Sequence, residues 1–341
     1  MGCYVPLHRW CLMVCTLVGC TQMPLAPGVP GTQPLTATEP AAGVFVHIGA
    51  LEDWGPANHG DVANLGFVVG TRCVAVIDTG GTPAIGQALL AAVRRVTPLP
   101  LCYVINTHAH PDHMLGNVAF VGASERPQFV ASARYTAMLA ARAPYYRAAL
   151  QRDFGIRLLP AEIVFPDTFV TEALELDLGG RILRLQAWPT AHTDNDLTVF
   201  DNSTRTLFAA DLLFVQHLPV LDGNLKGWLC ALQALRPLEV ATVVPGHGPL
   251  SQDWPRVLNA ERDYLQGLQR ATRAAITQGL SLAQAADQIG VEQTTTQIAA
   301  QAQEHWLLTE RFQRRNVTAA YAELEWEAAD AREAGDTPCG H

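Results

Sequence analysis

From Val44 onward, short apolar runs rich in β-branched residues alternate with longer amphipathic stretches. Val44–Ile48, Leu65–Val69 and Val74–Ile77 each read as a strand, separated by turns that contain glycine. Thr82-Pro83 then opens a helix to about Val96: Thr can cap the first turn, and Pro has no N–H to leave unpaired at the first helical position. Cys102–Ile105 and Phe129–Ala131 read as further buried strands, the second followed by a helix over Ser132–Ala143. Strands at Arg181–Gln186, Leu197–Phe200 and Thr206–Ala209 precede a helix near Leu225–Leu235 and a strand at Ala241–Val244. Helical periodicity then takes over. Asp253-Trp254-Pro255 starts a helix to about Gln278, Ser281 and Gln284 form a capping box for the next, and Glu304–Ala328 reads as the last. Two β-rich halves bridged and flanked by helices predict a layered α/β sandwich.

The beginning of the chain departs from this pattern. Trp10–Gly19, preceded by Arg9, is an apolar run too short to cross a bilayer as a helix but suited to the core of a secretory signal. It ends in Leu17-Val18-Gly19-Cys20, which resembles the lipobox of bacterial lipoproteins; there the bond before the cysteine is cut and the cysteine sulfur carries lipid. Thr21–Pro40, rich in Pro, Thr, Ala and Gly, has the composition of a tether. The expected division is a signal over 1–19, a tether over 20–42, a catalytic domain over 43–253, C-terminal helices over 254–328 and a frayed tail over 329–341. The chain is therefore expected to be exported, periplasmic and held to a membrane only through lipidated Cys20. An ordinary signal peptide cut a few residues later is the alternative.

Composition removes other classes. With 49% hydrophobic and 16% charged residues, the 341-residue chain is neither disordered nor fibrous. A net charge of −9 and scattered arginines exclude broad electrostatic binding to nucleic acid. The eight cysteines do not make a disulfide framework. Cys3, Cys11 and Cys15 leave with the signal, and Cys20 is the lipidation candidate. Cys73, Cys102, Cys230 and Cys339 remain without CxxC spacing. Cys73 and Cys102 lie in apolar strand-like runs, where buried free thiols are expected; one disulfide in an oxidising compartment is the alternative, with its partners open.

The candidate chemistry begins where the strand Cys102–Ile105 runs into Asn106-Thr107-His108-Ala109-His110-Pro111-Asp112-His113. Imidazole and carboxylate suit a borderline cation such as zinc, and a loop can fold them towards one point. So tight a loop cannot enclose an ion alone. His192 follows the strand ending near Trp188, Asp211 is placed at the end of the strand Thr206–Ala210, and His247 follows Ala241–Val244. Ligands at strand ends would gather on one edge of a sandwich.

The His108-x-His110-x-Asp112-His113 motif, with His192, Asp211 and His247 in this order, resembles the metallo-β-lactamase superfamily over roughly residues 44–250. The resemblance implies a four-layer αββα sandwich with a binuclear metal centre in the groove between its sheets. It implies that His108, His110 and His192 hold one metal, that Asp112, His113 and His247 hold the second, and that Asp211 bridges them. Two Zn2+ ions are implied, with iron or manganese as alternatives. Asp78, in Val76-Ile77-Asp78-Thr79-Gly80, would orient a ligand from outside; a simple turn aspartate is the alternative.

The complete set with its bridging carboxylate is similar to glyoxalase II-like thioesterases and less like the β-lactam-hydrolysing members. Gly43–Gly49, Asn58–Asn64 and Leu218–Gly223 resemble the exported quinoprotein relay system zinc metallohydrolases, related to hydrolases of sulfur-oxidation clusters. That resemblance implies a functional link to a periplasmic quinoprotein dehydrogenase. Two metals sharing a hydroxide would attack an ester, thioester, lactone or amide carbonyl, with Asp112 orienting the hydroxide or taking its proton. No Gly-x-Ser-x-Gly elbow, GxGxxG or P-loop points to another mechanism. His59 and His217 are candidate substrate contacts, with surface or structural roles as the alternative. Trp54 and Trp228 are candidates for the rim, with packing the alternative, and the helices after Trp254 form either a lid or a packed cap. The competing readings are a persulfide dioxygenase-like enzyme with one iron on two histidines and an aspartate, and a metal-containing accessory protein of a dehydrogenase.

Overall fold

Alternation along the strands sorts their side chains onto two faces, and both faces are covered. A computed structural model describes residues 1–2, 33–122, 126–290, 305–327 and 339. Seven strands form one sheet in sequential order: β1 (Thr38–Ala41), β2 (Val44–His47), β3 (Leu65–Val69), β4 (Val74–Ile77), β5 (Leu101–Ile105), β6 (Gln128–Ser132) and β7 (Thr168–Val170). Pairing is antiparallel as far as β4 and parallel from β4 to β7. The second sheet has the order β12-β11-β10-β9-β8, from β8 (Ala173–Asp177), β9 (Ile182–Ala187), β10 (Leu197–Asp201), β11 (Thr206–Phe214) and β12 (Thr242–His247).

Leu65, Phe67, Val74 and Val76 face outward onto Ile85, Leu89 and Val93 of α1 (Pro83–Val96), whose N-terminus is capped by Thr82. Val68, Ala75, Ile77 and Ile105 face inward and meet Leu183, Leu185, Val199 and Phe208 of the second sheet. The sheets approach closely at Gly66, where a Cβ would lie 2.3 Å from the Phe208 ring. The outer face of the second sheet packs on α5 (Leu225–Leu235), α6 (Trp254–Thr277) and the C-terminal helices. Helix, sheet, sheet, helix is the expected four-layer order.

Several boundaries differ from the sequence expectation. Thr38–Ala41, expected within the tether, forms β1 because β2 offers it an open sheet edge. Neither β7, which has only three residues, nor β8 is anticipated from sequence, although Leu174, Leu176 and Leu178 alternate with Ala173, Glu175 and Asp177 and turn into the core. After the single turns α2 (Pro111–Met114) and α3 (Val118–Val121), α4 (Tyr135–Ala149) continues through Pro144, where the reading expects a stop. α7 (Leu282–Ile289) has the anticipated capping box, and the final helix, α8 (Thr309–Leu324), starts later than Glu304. His305–Leu308 instead runs beside Gln216–Leu218, with Leu218 N–H donating to Leu307 O at 3.0 Å. The signal and lipobox, Trp10–Cys20, lie outside the described residues. No helix among the described residues is long and apolar enough to cross a membrane.

The cysteines require a correction. Cys73 bonds Cys102, and Cys230 of α5 bonds Cys339. Parallel pairing of Val74 with Leu101 brings the first two side by side, a proximity that apolar surroundings alone do not reveal. The second bond joins residues separated by 109 positions and ties the expected frayed tail to α5 at that residue.

Candidate metal centre

The parallel strand β5 delivers the chain to His108 and His110, after which Pro111 starts the single turn α2 that carries Asp112 and His113. His192 follows β9, and His247 is the last residue of β12. Asp211 does not terminate its strand as expected: β11 continues to Phe214, and Ala210, at φ +48°, sits at an irregularity in its pairing with β12. Gly246 makes room for the carboxylate, since a Cβ there would stand 1.8 Å from Asp211 Oδ1.

The structure brings all seven residues together in two groups. His108, His110, His192 and Asp211 form one, and Asp112, His113 and His247 the other. His110 Nδ1 is 3.0 Å from His108 Nε2 and 3.1 Å from His192 Nε2. Asp211 spans the groups, with Oδ2 3.3 Å from His192 Nε2 and Oδ1 3.1 Å from His113 Nε2. His247 Nε2 lies 3.3 Å from Asp112 Oδ2.

Outer hydrogen bonds determine which ring nitrogens carry protons. His192 Nδ1–H donates to Val220 O at 2.7 Å, and His247 Nδ1–H to Val62 O at 3.0 Å. His110 Nε2–H donates to Asp222 Oδ2 at 3.0 Å, and His113 Nδ1–H to Asp78 Oδ2 at 2.8 Å. Thr107 Oγ1 gives its proton to Asp78, so it accepts from His108 Nδ1–H at 3.1 Å. In neutral imidazoles the opposite nitrogens, which face one another, all present lone pairs. His113 Nε2 and Asp211 Oδ1 are likewise buried without a hydrogen-bond partner. In the first group converging lone pairs repel unless a cation lies among them; in the second the carboxylates draw positive charge, a proton or a metal, onto the same nitrogens. Outer partners that fix the tautomer are the usual support of metal ligands. The donor set therefore fits a metal in each group.

The charges follow the same division. Burial, reinforced by His113, holds His108 well below its ordinary pKa, and burial holds His192 at about 3 against the attraction of Asp211. In the second group burial is outweighed: the carboxylates Asp211, Asp112 and Asp78 push His113 well up, and Asp211 and Asp112 push His247 up to about 9. Despite burial, the imidazoles hold Asp112 and Asp211 well below the usual carboxylate range. Both aspartates remain anionic at neutral pH.

Asp78 occupies φ +55°, and its carboxylate also accepts Thr107 N–H at 2.8 Å, so it locks two ligand segments at once. His217 is buried and lines the cleft over the metal groups, its Nδ1–H donating to Leu218 O. His59 is not among the residues that line that cleft; it is exposed, and its carbonyl accepts from Thr82 Oγ1. Trp54 lines the rim, whereas Trp228 is buried and donates to Leu212 O.

The cleft has a volume of about 530 Å3. Much of its wall was missed from sequence: Arg142, Tyr145 and Tyr146 come from α4, and Arg311, Phe312 and Arg315 from α8. Asp222 lies within the Leu218–Gly223 segment, but its contact with His110 across 112 residues has no local signal.

A family model for the metallo-beta-lactamase superfamily matches residues 60–247. The chain belongs to this superfamily. Among curated relatives, a beta-lactamase-like protein 2 homolog from Caenorhabditis elegans is 22% identical over 214 residues, covering 62% of this chain and 63% of the relative. The linear primary-alkylsulfatase of Pseudomonas sp. (strain ATCC 19151) is 24% identical over 245 residues, covering 60% and 46% respectively. The chain thus spans less than two thirds of either relative's length. Two solved structures show a similar fold. The inverting sec-alkylsulfatase Pisa1 from Pseudomonas sp. aligns with TM-score 0.65 and 16% identity over 87% of this chain and 51% of its own. A metallo-beta-lactamase from Pontibacter korlensis aligns with TM-score 0.55 and 22% identity over 68% of this chain and 99% of its own.

Proposed function

We propose that this superfamily member is an exported binuclear zinc hydrolase acting on an ester, thioester, lactone or amide carbonyl. The observation that carries the reading is the pair of preassembled donor groups joined by Asp211, with their ligating nitrogens fixed by outer hydrogen bonds. Two bound ions would supply water ionised near neutral pH and a Lewis acid for the carbonyl oxygen. Asp112, an anionic carboxylate at the cleft, would orient the attacking water by accepting its hydrogen bond. His217 offers Nε2 as an acceptor because its other nitrogen donates to Leu218 O. Val62, Phe214 and Phe312 give the cleft apolar surface that limits competing water.

A one-iron dioxygenase needs only one donor group, so the second group favours the binuclear reading. Sulfate-ester hydrolysis at the same centre is a second reading, favoured by the alkylsulfatase relative and by a structural match that covers more of this chain than the lactamase match does. Export with a lipid anchor at Cys20 rests on the lipobox-like segment and on two disulfides, which suit an oxidising compartment. A link to a quinoprotein dehydrogenase rests on the resemblance of Gly43–Gly49, Asn58–Asn64 and Leu218–Gly223.

Metal quantitation on the purified protein, with an ester, thioester, lactone, β-lactam and sulfate-ester panel, tests the reading. Two zinc equivalents and turnover of a carbonyl substrate are expected. Bound iron with sulfur-dependent oxygen uptake, or turnover of the sulfate ester alone, overturns the carbonyl assignment. Cys20→Ser should release the protein from membranes, as read by fractionation.

A further inference from the structure

Asp222 does more than hold His110. Its Oδ2 also accepts from Arg142 Nη1 at 2.8 Å, and its Oδ1 from Arg315 Nη2 at 3.0 Å. One carboxylate thus gathers two guanidiniums, from α4 and α8, and leaves the three side chains with an excess positive charge. Each guanidinium carries five N–H donors, and Asp222 takes one from each. The Arg142 and Arg315 side chains are 43% and 49% exposed, and both line the cleft that holds the metal groups. Beside Arg142, whose guanidinium acts on its hydroxyl, the Tyr146 side chain is almost wholly buried and lines the same cleft.

Holding Asp222 needs only one cation. Two cations preorganised by a shared carboxylate, with a phenol hydroxyl beside one of them, are the donor set for an anion. The location says which part of the substrate carries it. Asp222 meets His110 at Nε2, the nitrogen opposite the one that faces the metal group. A group bound to Arg142 and Arg315 is therefore separated from the reacting centre by a carboxylate and an imidazole. Arg315 also lies beyond the residues that the family model matches.

We propose that Arg142, Arg315 and Tyr146 form a subsite for a monoanionic carboxylate or sulfonate on the non-reacting part of the substrate. This rests on the hydrolase reading and narrows its substrate class to amphiphilic acids: an apolar body against Phe312 and Val62, with an anionic end beside α4 and α8. A guanidinium pair binds such an anion by charge-assisted hydrogen bonds, which a neutral end cannot replace.

The test compares zinc-loaded wild type with Arg315→Leu and Tyr146→Phe on two series of para-nitrophenyl esters. One series ends in a carboxylate or sulfonate on chains of increasing length, and its counterpart ends in a methyl group. Wild type should prefer the anionic series at one chain length. The ratio of kcat/KM, anionic over neutral, should fall at least tenfold in Arg315→Leu and less in Tyr146→Phe, while Arg315→Lys restores part of it. If the arginines only pin Asp222, both series change together and the ratio stays constant, which overturns the subsite. If wild type cleaves neither series, the hydrolase reading for these esters fails, and titration calorimetry with the uncleaved anionic esters reads the subsite directly. Binding weakened at least tenfold in Arg315→Leu supports it; equal binding, or none to wild type, overturns it.

Discussion

The floor and the wall of the cleft are built on different principles. On the floor, His108, His113, His192, Asp211 and His247 are all buried, and the outer partners of these histidines are backbone carbonyls or buried side chains. On the wall, Arg142, Tyr145, Arg311 and Arg315 are substantially exposed and come from two helices distant in sequence. The floor is rigid because each histidine ligand is anchored behind its ligating nitrogen. The wall is held by ion pairs at solvent, which contribute little individually. Asp222 belongs to both, since it fixes His110 below and collects two arginines above.

The largest expected effect is on the floor. Chelation, or Asp211→Ala, should abolish turnover, and the variant should lose metal from both groups by elemental analysis. Loss of one equivalent only would show that Asp211 serves a single ion. Gly246→Ala comes next: the added methyl would collide with Asp211 Oδ1. It should lower turnover and cost about 1–3 kcal/mol in denaturant unfolding; wild-type behaviour would mean that β12 can yield.

Asp78→Ala and Asp222→Ala compare a purely buried anchor with one shared by the wall. Each should lower metal affinity or activity by roughly 10–100-fold. Only Asp222→Ala should also change substrate preference, and identical profiles would erase the distinction between floor and wall. The end of the sandwich away from the metal centre should affect stability without affecting chemistry. There Arg181 bonds Asp201 and reaches Val69 O in the other sheet. Burial raises the Asp201 carboxyl, but hydrogen bonds from Arg181 and Thr204 outweigh it and hold the group below its ordinary value. Because the folded value is depressed, the stabilisation is present above the unfolded value of about 3.9 and is lost as pH falls through the folded value. Urea midpoints over that acid range should fall less steeply in Arg181→Ala than in wild type.

The smallest effect belongs to Arg311, which pairs with Asp53 across the mouth of the cleft at 2.5 Å with both side chains exposed. Arg311→Ala should change stability by about 0–1 kcal/mol, less at high salt. A larger loss would make this pair a structural clasp.

Legibility in the sequence follows the same division. The floor could be read because its chemistry is local: His108 to His113 lie within one short motif, and the other ligands sit in or just after strands with clear apolar periodicity. Even there, the bulge at Ala210 was hidden, because a positive φ at alanine leaves no compositional trace. The disulfide partners were not legible, since Cys73 meets Cys102 only through the register of β4 on β5. The wall is not legible because the expected helices hold Arg142, Arg311 and Arg315 but not their placement over the centre; α4 also runs past Pro144 to carry Tyr145 and Tyr146, and α8 is placed by the pairing of His305–Leu308 with Gln216–Leu218. His59 and His217 looked alike as lone histidines, and packing alone separated them: one is exposed outside the cleft, the other buried within it.

By itself the sequence determined the residue types that can bind metal, their order along the chain and the strand periodicity that gathers them. Those depend on neighbours a few positions apart. Tertiary structure alone decided which nitrogen of each histidine is free to ligate, which cysteines are joined, and which cations look down on the centre. Those depend on contacts such as His110 with Asp222 and His247 with Val62 O, 112 and 185 residues apart, which exist only once the two sheets have packed.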